Sequence, residues 1–386
     1  MAKKLLVPVL GTLGFTQIRH VAPVRRGAAR GLVAEVYRQL ERDFGVLAPP
    51  VALHAPAPEV LAACWLMLRE TVIVESTVDR LTKETVAAAV SRANTCPYCI
   101  TVHEEMSQTL GRPARPPGAG PAGAETAGAE TAGAETAGAE TVPGGSAGHP
   151  RAVADWVTAV PDRVAAGGRG RPFLSSHTPE VVGGAVLMHY LNRVVNVLLY
   201  DIPLPPGVPR MALGPVMKVL GRQIVGQARG SHDPGRSLDL LPAAEPPADL
   251  WWTATNPNVA AAFGAAVAAV EAAGARSVPA PVRELVLREL DAWDGTARPL
   301  DPSWLSGPVS GLAAADRPAG RLAMLVAFAA YRVDQPTVDA FRRTGATDAD
   351  LVGLCAWAAL AASRQIGARL AGPRDGAESP GEPAHH

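Results

Sequence analysis

Apolar residues recur every three or four positions through most of this chain. The pattern is clear in PEVLAACWLMLRETVIV (58–74), VDRLTKETVAAAVSRA (78–93) and EVVGGAVLMHYLNRVVNVLLYD (180–201). Alanine is the best helix former, and this spacing places the apolar side chains on one face of a helix. Prolines and glycines stand where such helices would begin and end, and no convincing run of alternating residues predicts a strand. The sequence therefore predicts an all-α fold.

A change of composition divides the chain. Its 386 residues are enough for one large or two ordinary domains. A Pro/Gly-rich stretch begins at Arg112 and leads into four copies of AGAET (122–141), which cannot bury enough apolar surface to offset the entropy of ordering. We predict four regions: an N-terminal helical repeat (1–111), a disordered linker (112–150), a C-terminal helical region (151–371) and a disordered tail (372–386).

Charge and motif content exclude several classes of function. Lys+Arg and Asp+Glu both number 36, so the chain has no basic field to attract nucleic acid. No stretch of about 18 apolar residues suggests a membrane span. The apolar N-terminal segment lacks the small-residue cleavage site of a signal peptide, and we expect a cytoplasmic protein. Motifs for nucleotide binding, such as G-x-G-x-x-G, are absent from the sequence.

Two of the four cysteines lie close together in ANTCPYCITVHEEM (93–106). Pro97 is suited to the first position of a helix, which puts Cys96 at the N-cap and Cys99 in the first turn. The unpaired N–H groups and the positive end of the helix dipole favour a thiolate there, so we expect a lowered thiol pKa. His103 shares a helix face with both cysteines and is placed to take the proton from Cys99, directly or through a water.

Glu84 is the candidate partner that would orient the imidazole of His103. It precedes Cys96 by twelve residues, which is about 18 Å along an unbroken helix. Asn94 and Thr95 favour a helix break between them. A reversal of the chain at this break would bring His103 alongside Glu84.

The pattern E-x11-C-x2-C-x3-H, formed here by Glu84, Cys96, Cys99 and His103, resembles the motif of alkylhydroperoxidase D in the carboxymuconolactone decarboxylase-like superfamily. The resemblance is firm over about residues 36–110. It is weaker over 180–201 and 320–371, where it implies a second, degenerate helical repeat. A homo-oligomer without a bound cofactor or metal is what the resemblance implies.

The resemblance also implies a thiol peroxidase activity and a role for each residue. Cys99 would attack the peroxide oxygen and become a sulfenic acid, and Cys96 would resolve it to a disulfide with release of water. Glu84 and His103 would form the relay that deprotonates the attacking thiol. The reductant would be a lipoylated protein, a peroxiredoxin partner or a small thiol. The decarboxylase branch of the superfamily lacks the cysteine pair, so the pair favours redox over lactone chemistry.

Three other interpretations of the same residues stay open. The cysteines can form an inert buried pair, or a redox sensor whose disulfide turns over no peroxide. They can also bind zinc together with His103, with Cys64 or Glu84 as the fourth ligand. Otherwise Cys64 is predicted to be a small apolar core residue, as is Cys355.

Polar residues in the segment 180–201 carry a separate prediction. His189 lies on an apolar helix, and we interpret it as a core residue rather than a ligand. Asn192, Arg193 and Asn196 form a polar stripe on the same helix. We predict that this stripe is a solvated or interface face first, and the wall of a site only second.

Overall fold

The computed structural model describes residues 14–111, 149–159, 170–204, 207–228, 230, 232–299 and 301–372. Helices make up the secondary structure of these residues, which contain no strand beyond one isolated bridge between Ile18 and Leu199. The all-α prediction is confirmed. Most of the predicted linker and tail lies outside the described residues, so the four-region division and the two-repeat arrangement stay predictions.

The α-helices of the described residues follow the predicted segments. In chain order they are α1 (Gly31–Asp43), α2 (Pro49–Ala52), α3 (Pro58–Leu68), α4 (Arg80–Ala93), α5 (Pro97–Leu110), α6 (Pro150–Thr158), α7 (Thr178–Leu198), α8 (Leu213–Ala228), α9 (Pro257–Ser277), α10 (Ala280–Asp291), α11 (Ser303–Ser310), α12 (Arg317–Ala329), α13 (Gln335–Arg342) and α14 (Asp348–Ala371). A π-helical turn, Arg69–Ile73, continues α3.

The core is built around α7. Every residue of this helix except Gly184 is buried. It packs most extensively along α14 and also against α4, while α9 packs against both α3 and α14. The close approach of α9 to α14 requires a glycine, because a Cβ added to Gly274 would lie 2.3 Å from Cδ1 of Trp357.

The helix pair α4–α5 is held between the core and a covering helix. α4 packs against α7 on one side and α6 on another, and α8 packs over α5. α8 carries Ile224 and Val225 into a small apolar cluster with Met106 of α5. The turn between α4 and α5 is therefore fixed from two directions.

Among the described residues, three helices are long and apolar enough to cross a membrane by length and composition, in contrast to the prediction from the sequence. They are Ser175–Leu198, Pro257–Ser277 and Asp348–Ala371. In this fold, 94%, 56% and 83% of their most apolar windows are buried inside the protein. The apolar character of the first and third helices is therefore used in packing against other helices of the chain.

Candidate active site

The turn between α4 and α5 positions the cysteine pair. α4 ends at Ala93, and the side chain of Asn94 donates back to the carbonyl of Val90 at 2.9 Å. Thr95 then takes a left-handed backbone conformation with φ of 50°, which is uncommon for a β-branched residue. Cys96 follows as the N-cap of α5. The predicted break at Asn94–Thr95 is confirmed.

The cysteine pair is buried and neither thiol is in a disulfide. Cys96 is 0% exposed and Cys99 is 3% exposed. Burial raises the pKa of the Cys99 thiol well above its ordinary value, the hydrogen bond with Cys96 and the charge of that neighbour raise it further, and a hydrogen bond with Asn192 lowers it. The direction is opposite to the expected lowering of the thiol pKa, because burial disfavours the charged thiolate.

Glu84 and His103 are brought together as the spacing predicted. Nδ1 of His103 lies 2.7 Å from Oε2 of Glu84, and Nε of Arg80 lies 2.7 Å from Oε1 of the same carboxylate. Burial alone would raise the pKa of Glu84, but the charges of Arg80 and His103 and their hydrogen bonds outweigh it and lower the pKa to about 2. Glu84 is therefore an ionised acceptor at neutral pH.

The ionised carboxylate fixes the tautomer of His103. A carboxylate can only accept, so Nδ1 of His103 carries a proton and donates it to Glu84. In the neutral imidazole, Nε2 is then left as the basic nitrogen. The His103 side chain is 20% exposed, while that of Glu84 is 2% exposed. This arrangement can accept a proton at Nε2, and the catalytic roles of the two residues stay predictions.

Arg80 is part of the site and was missed from the sequence. Its guanidinium also donates to the carbonyl of Val72 at 3.0 Å, which anchors it between α4 and the turn after α3. The signal was available, because Arg80 precedes Glu84 by one helical turn, the spacing of a helical ion pair.

The sequence placed Asn192 of α7 only in the polar stripe, and its contact with the dithiol was missed. It is fully buried, accepts a hydrogen bond from Nδ2 of Asn94 at 3.1 Å and donates to Oγ of Ser91 at 3.1 Å. It also makes the hydrogen bond that lowers the pKa of Cys99. It therefore joins the core helix to the dithiol.

The polar stripe on α7 corrects the prediction of a solvated face. Arg193 is 6% exposed and Asn196 is 7% exposed. Arg193 donates to Oδ1 of Asn94 at 3.0 Å, and Asn196 donates to the Asn94 carbonyl at 3.1 Å. Because α7 is buried on all sides, these polar groups take protein partners, mainly in the α4–α5 turn, so the stripe is a buried packing face and not a solvated one.

An apolar cavity of about 260 Å³ opens next to the relay. Arg80, Glu84 and His103 line one side of it, and Tyr98 lines it with its hydroxyl donating to Gln17 at 2.9 Å. Apart from Gln17, the rest of the wall is apolar, and it includes three residues of α8: Val216, Leu220 and Ile224. Neither cysteine lines this cavity.

The other two cysteines lie in the core. Cys64 in α3 and Cys355 in α14 are fully buried in the main apolar core, as predicted. Burial raises the pKa of both thiols, that of Cys355 to about 12.

Across the described ranges, no group of three or more His, Cys, Asp and Glu side chains is arranged to hold a metal ion, so the geometry gives the zinc interpretation no support.

The part of the chain that matches a known protein family contains the candidate site residues. The model of the carboxymuconolactone decarboxylase family matches residues 58–116, a range that contains Glu84, Cys96, Cys99 and His103. The chain is 33% identical over 359 residues to a protein named alkyl hydroperoxide reductase from Mycobacterium tuberculosis, with 93% of this chain and 96% of that relative covered. No solved structure matches. The chain therefore belongs to the carboxymuconolactone decarboxylase family, within the alkylhydroperoxidase D-like superfamily.

Proposed function

We propose that the protein is a thiol-dependent peroxidase that reduces alkyl hydroperoxides through Cys99 and Cys96. The observation that carries this proposal is the 2.7 Å contact between Glu84 of α4 and His103 of α5. The buried dithiol lies at the start of α5. The name of the Mycobacterium tuberculosis relative, alkyl hydroperoxide reductase, supports a peroxidase-like role at the level of the family.

The first step is deprotonation of Cys99 and its attack on the peroxide. Burial keeps this thiol protonated, so it needs a base, and the neutral imidazole of His103 lies one helical turn away. Glu84 stabilises the imidazolium that forms. The thiolate then attacks the terminal oxygen of the hydroperoxide: the S–O bond forms, the O–O bond breaks, and the alkoxide takes the proton from His103 to leave as an alcohol.

The second step closes the disulfide. The sulfur of Cys96 attacks the Cys99 sulfenic acid, the S–S bond forms, and the hydroxyl leaves with a proton as water. Residues three apart at a helix start are within reach of disulfide geometry. Two electrons and two protons from a reductant restore the dithiol. A lipoylated protein, a peroxiredoxin partner or a small thiol is the proposed reductant, and a homo-oligomer is the proposed assembly.

The cavity beside His103 favours an organic peroxide as the substrate. Its wall is apolar apart from the relay, Gln17 and Tyr98, so an alkyl or aryl group gains free energy by leaving water there. Neither sulfur lines the cavity, so the peroxide group must reach beyond the lining residues to meet Cys99. We expect a higher kcat/KM for cumene hydroperoxide than for hydrogen peroxide.

The test is the consumption of cumene hydroperoxide with dithiothreitol as the reductant. We compare the wild-type protein with His103→Gln and with His149→Gln, an exposed histidine far from the site in sequence. Removal of a general base typically costs about a hundredfold or more in rate, so His103→Gln should lose that much and His149→Gln nothing. A wild-type chain that forms its disulfide once and consumes no further peroxide is a sensor, and that outcome would contradict the proposal.

A further inference from the structure

A second cavity lies beside the Asn94–Thr95 turn and shares no lining residue with the cavity at His103. Its volume is about 300 Å³. Aromatic side chains form much of its wall: Trp293, Phe328 and Tyr331. The charged and titratable residues that line it are Arg193, Arg298 and His189, without any Asp or Glu among the lining residues.

Arg193 brings a buried positive charge to this cavity. Its Nε donates to the carbonyl of Ala327 at 3.1 Å, and its Nη1 donates to the carbonyl of His189 at 2.9 Å and to Oδ1 of Asn94. All of these acceptors are neutral, and within the described part of the chain Arg193 forms no ion pair with a carboxylate. Burial lowers the pKa of Arg193 only to about 10, so the guanidinium keeps its charge at neutral pH. Buried charges are normally paired.

His189 lines the same cavity and has an unused ring nitrogen. Its Nδ1 lies 2.9 Å from Nδ2 and 3.2 Å from Oδ1 of Asn94, and 3.3 Å from Nη1 of Arg193. Oδ1 of Asn94 already accepts from Arg193, whereas Nδ2 and Nη1 are donors, so we assign Nδ1 as the acceptor and the ring proton to Nε2. Nε2 is buried and has no hydrogen-bond partner among the described residues. The exposed fraction of His189 as a whole residue is 7%.

These two features complement a single small anion. Buried polar groups in folded proteins almost always have partners, so an unpartnered N–H beside an unneutralised guanidinium indicates a missing acceptor. Arg298 adds a second positive group at the wall, with its guanidinium 4.5 Å from the centre of the Phe328 ring. The aromatic wall in turn favours an apolar body on the ligand.

We propose that this cavity binds a small organic carboxylate, with its oxygens toward Arg193 and Nε2 of His189 and its apolar body against the aromatic wall. A singly charged carboxylate balances the one buried cation that has no counter-charge, Arg193, whereas a doubly charged phosphate would leave charge unpaired against it. The volume is that of a pocket for a small molecule. The site is separate from the proposed peroxide chemistry and does not depend on it.

The test is calorimetric titration of the full, reduced protein with benzoate and with benzamide, its neutral analogue of the same shape. Benzoate is expected to bind in the millimolar range or tighter, and at least about tenfold more tightly than benzamide, as loss of a charge-assisted bond implies. Arg298→Gln, at a half-buried position, should weaken benzoate binding several-fold while leaving the core intact. Arg193→Lys, which keeps the charge and loses the guanidinium hydrogen bonds, should weaken it further.

The matched control is Arg92→Gln. This variant loses the same charge from an exposed arginine that pairs with Glu104 at 2.6 Å and does not line the cavity. Its benzoate affinity should equal that of the wild type. The proposal is overturned by equal affinity for benzoate and benzamide, by an unchanged affinity in the Arg298 and Arg193 variants, by an equal loss in Arg92→Gln, or by no binding at millimolar benzoate.

Discussion

The four cysteines lie in two different environments, although all four are buried. Cys96, Cys64 and Cys355 are 0% exposed and Cys99 is 3% exposed. Burial raises the pKa of Cys99, as it does for Cys64 and Cys355. The difference lies in the neighbours of each thiol.

Cys64 and Cys355 lie inside α3 and α14 among apolar residues, whereas Cys99 contacts a second thiol and Asn192. It also lies one helical turn from a histidine that is paired with an ionised Glu84. In this chain, the proposed reactive thiol differs from the core thiols in having a histidine and a hydrogen-bonding amide beside it, and not in exposure or in a low pKa. Each prediction below changes one part of this difference.

The largest effect is expected from removing the attacking sulfur. Cys99→Ser should lower the turnover of cumene hydroperoxide by on the order of a thousandfold or more, because an alcohol is a far weaker nucleophile than a thiolate. Cys64→Ala and Cys355→Ala should keep turnover within a few-fold and lose only stability, about 1–2 kcal/mol each. Steady-state rates and urea unfolding measure both quantities. A loss of turnover in either core variant as large as that of Cys99→Ser would break the comparison.

Removal of the resolving sulfur separates the two thiols of the pair. Cys96→Ser should still react once with peroxide but should not turn over, because the sulfenic acid on Cys99 has no partner with which to form a disulfide. Dimedone labelling followed by mass spectrometry should find the adduct on Cys99. An adduct on Cys96 in the converse variant, Cys99→Ser, formed just as fast, would reverse the assigned roles.

Removal of the relay carboxylate should have the next largest effect. Glu84→Gln leaves His103 without its anionic partner, and the reaction of peroxide with the dithiol should slow about tenfold to a hundredfold. Glu75→Gln, at an exposed position of the turn before α4, is the matched control and should react at the wild-type rate. An unchanged rate in Glu84→Gln would remove the carboxylate from the mechanism.

The same variant should also change the dependence of stability on pH. The pKa of Glu84 is lowered from 4.5 to about 2 in the folded protein, so its contribution to the free energy of unfolding is full above pH 4.5 and is lost as the pH falls toward 2. The stability difference between wild type and Glu84→Gln should therefore shrink over this window. Urea unfolding at several pH values measures it, and a difference that grows on acidification would contradict the ion pair.

The smallest effect is expected from Asn192. Asn192→Ala removes the hydrogen bond that lowers the pKa of Cys99, so that pKa should rise further and alkylation of the dithiol by iodoacetamide at neutral pH should slow a few-fold. Asn196→Ala is the matched control, because Asn196 bonds the same turn through the Asn94 carbonyl. Equal slowing in both variants would assign the effect to the turn rather than to the thiol.

The sequence was sufficient for the parts of the site that are local. Glu84 and His103 lie on two consecutive helices joined by three residues (94–96), so their contact depends on helix geometry and on where the break falls. The helix start at Cys96 followed from Pro97 for the same reason. Periodicity and helix propensity alone were enough for the all-α class.

The missed features depend on distant segments. Asn192 reaches Cys99 from a helix almost a hundred residues later, and nothing in the spacing of the motif indicates that helix as a neighbour. The thiol pKa was not predicted because burial of the pair depends on packing against distant segments, including α7, which contacts Cys99 through Asn192. The polar stripe at Arg193 and Asn196 was assigned to solvent because the sequence of α7 does not show that other helices cover all of its faces.

The most direct test of the central claim is a single-turnover stopped-flow reaction of the pre-reduced, metal-free protein with cumene hydroperoxide, with free thiols counted before and after. The account predicts rapid loss of two thiols per chain in the wild-type protein and in Cys64→Ala. It predicts no such loss in Cys99→Ser. Slow reaction with all thiols intact in the wild-type protein would contradict the peroxidase account and leave the dithiol as a structural or sensing pair.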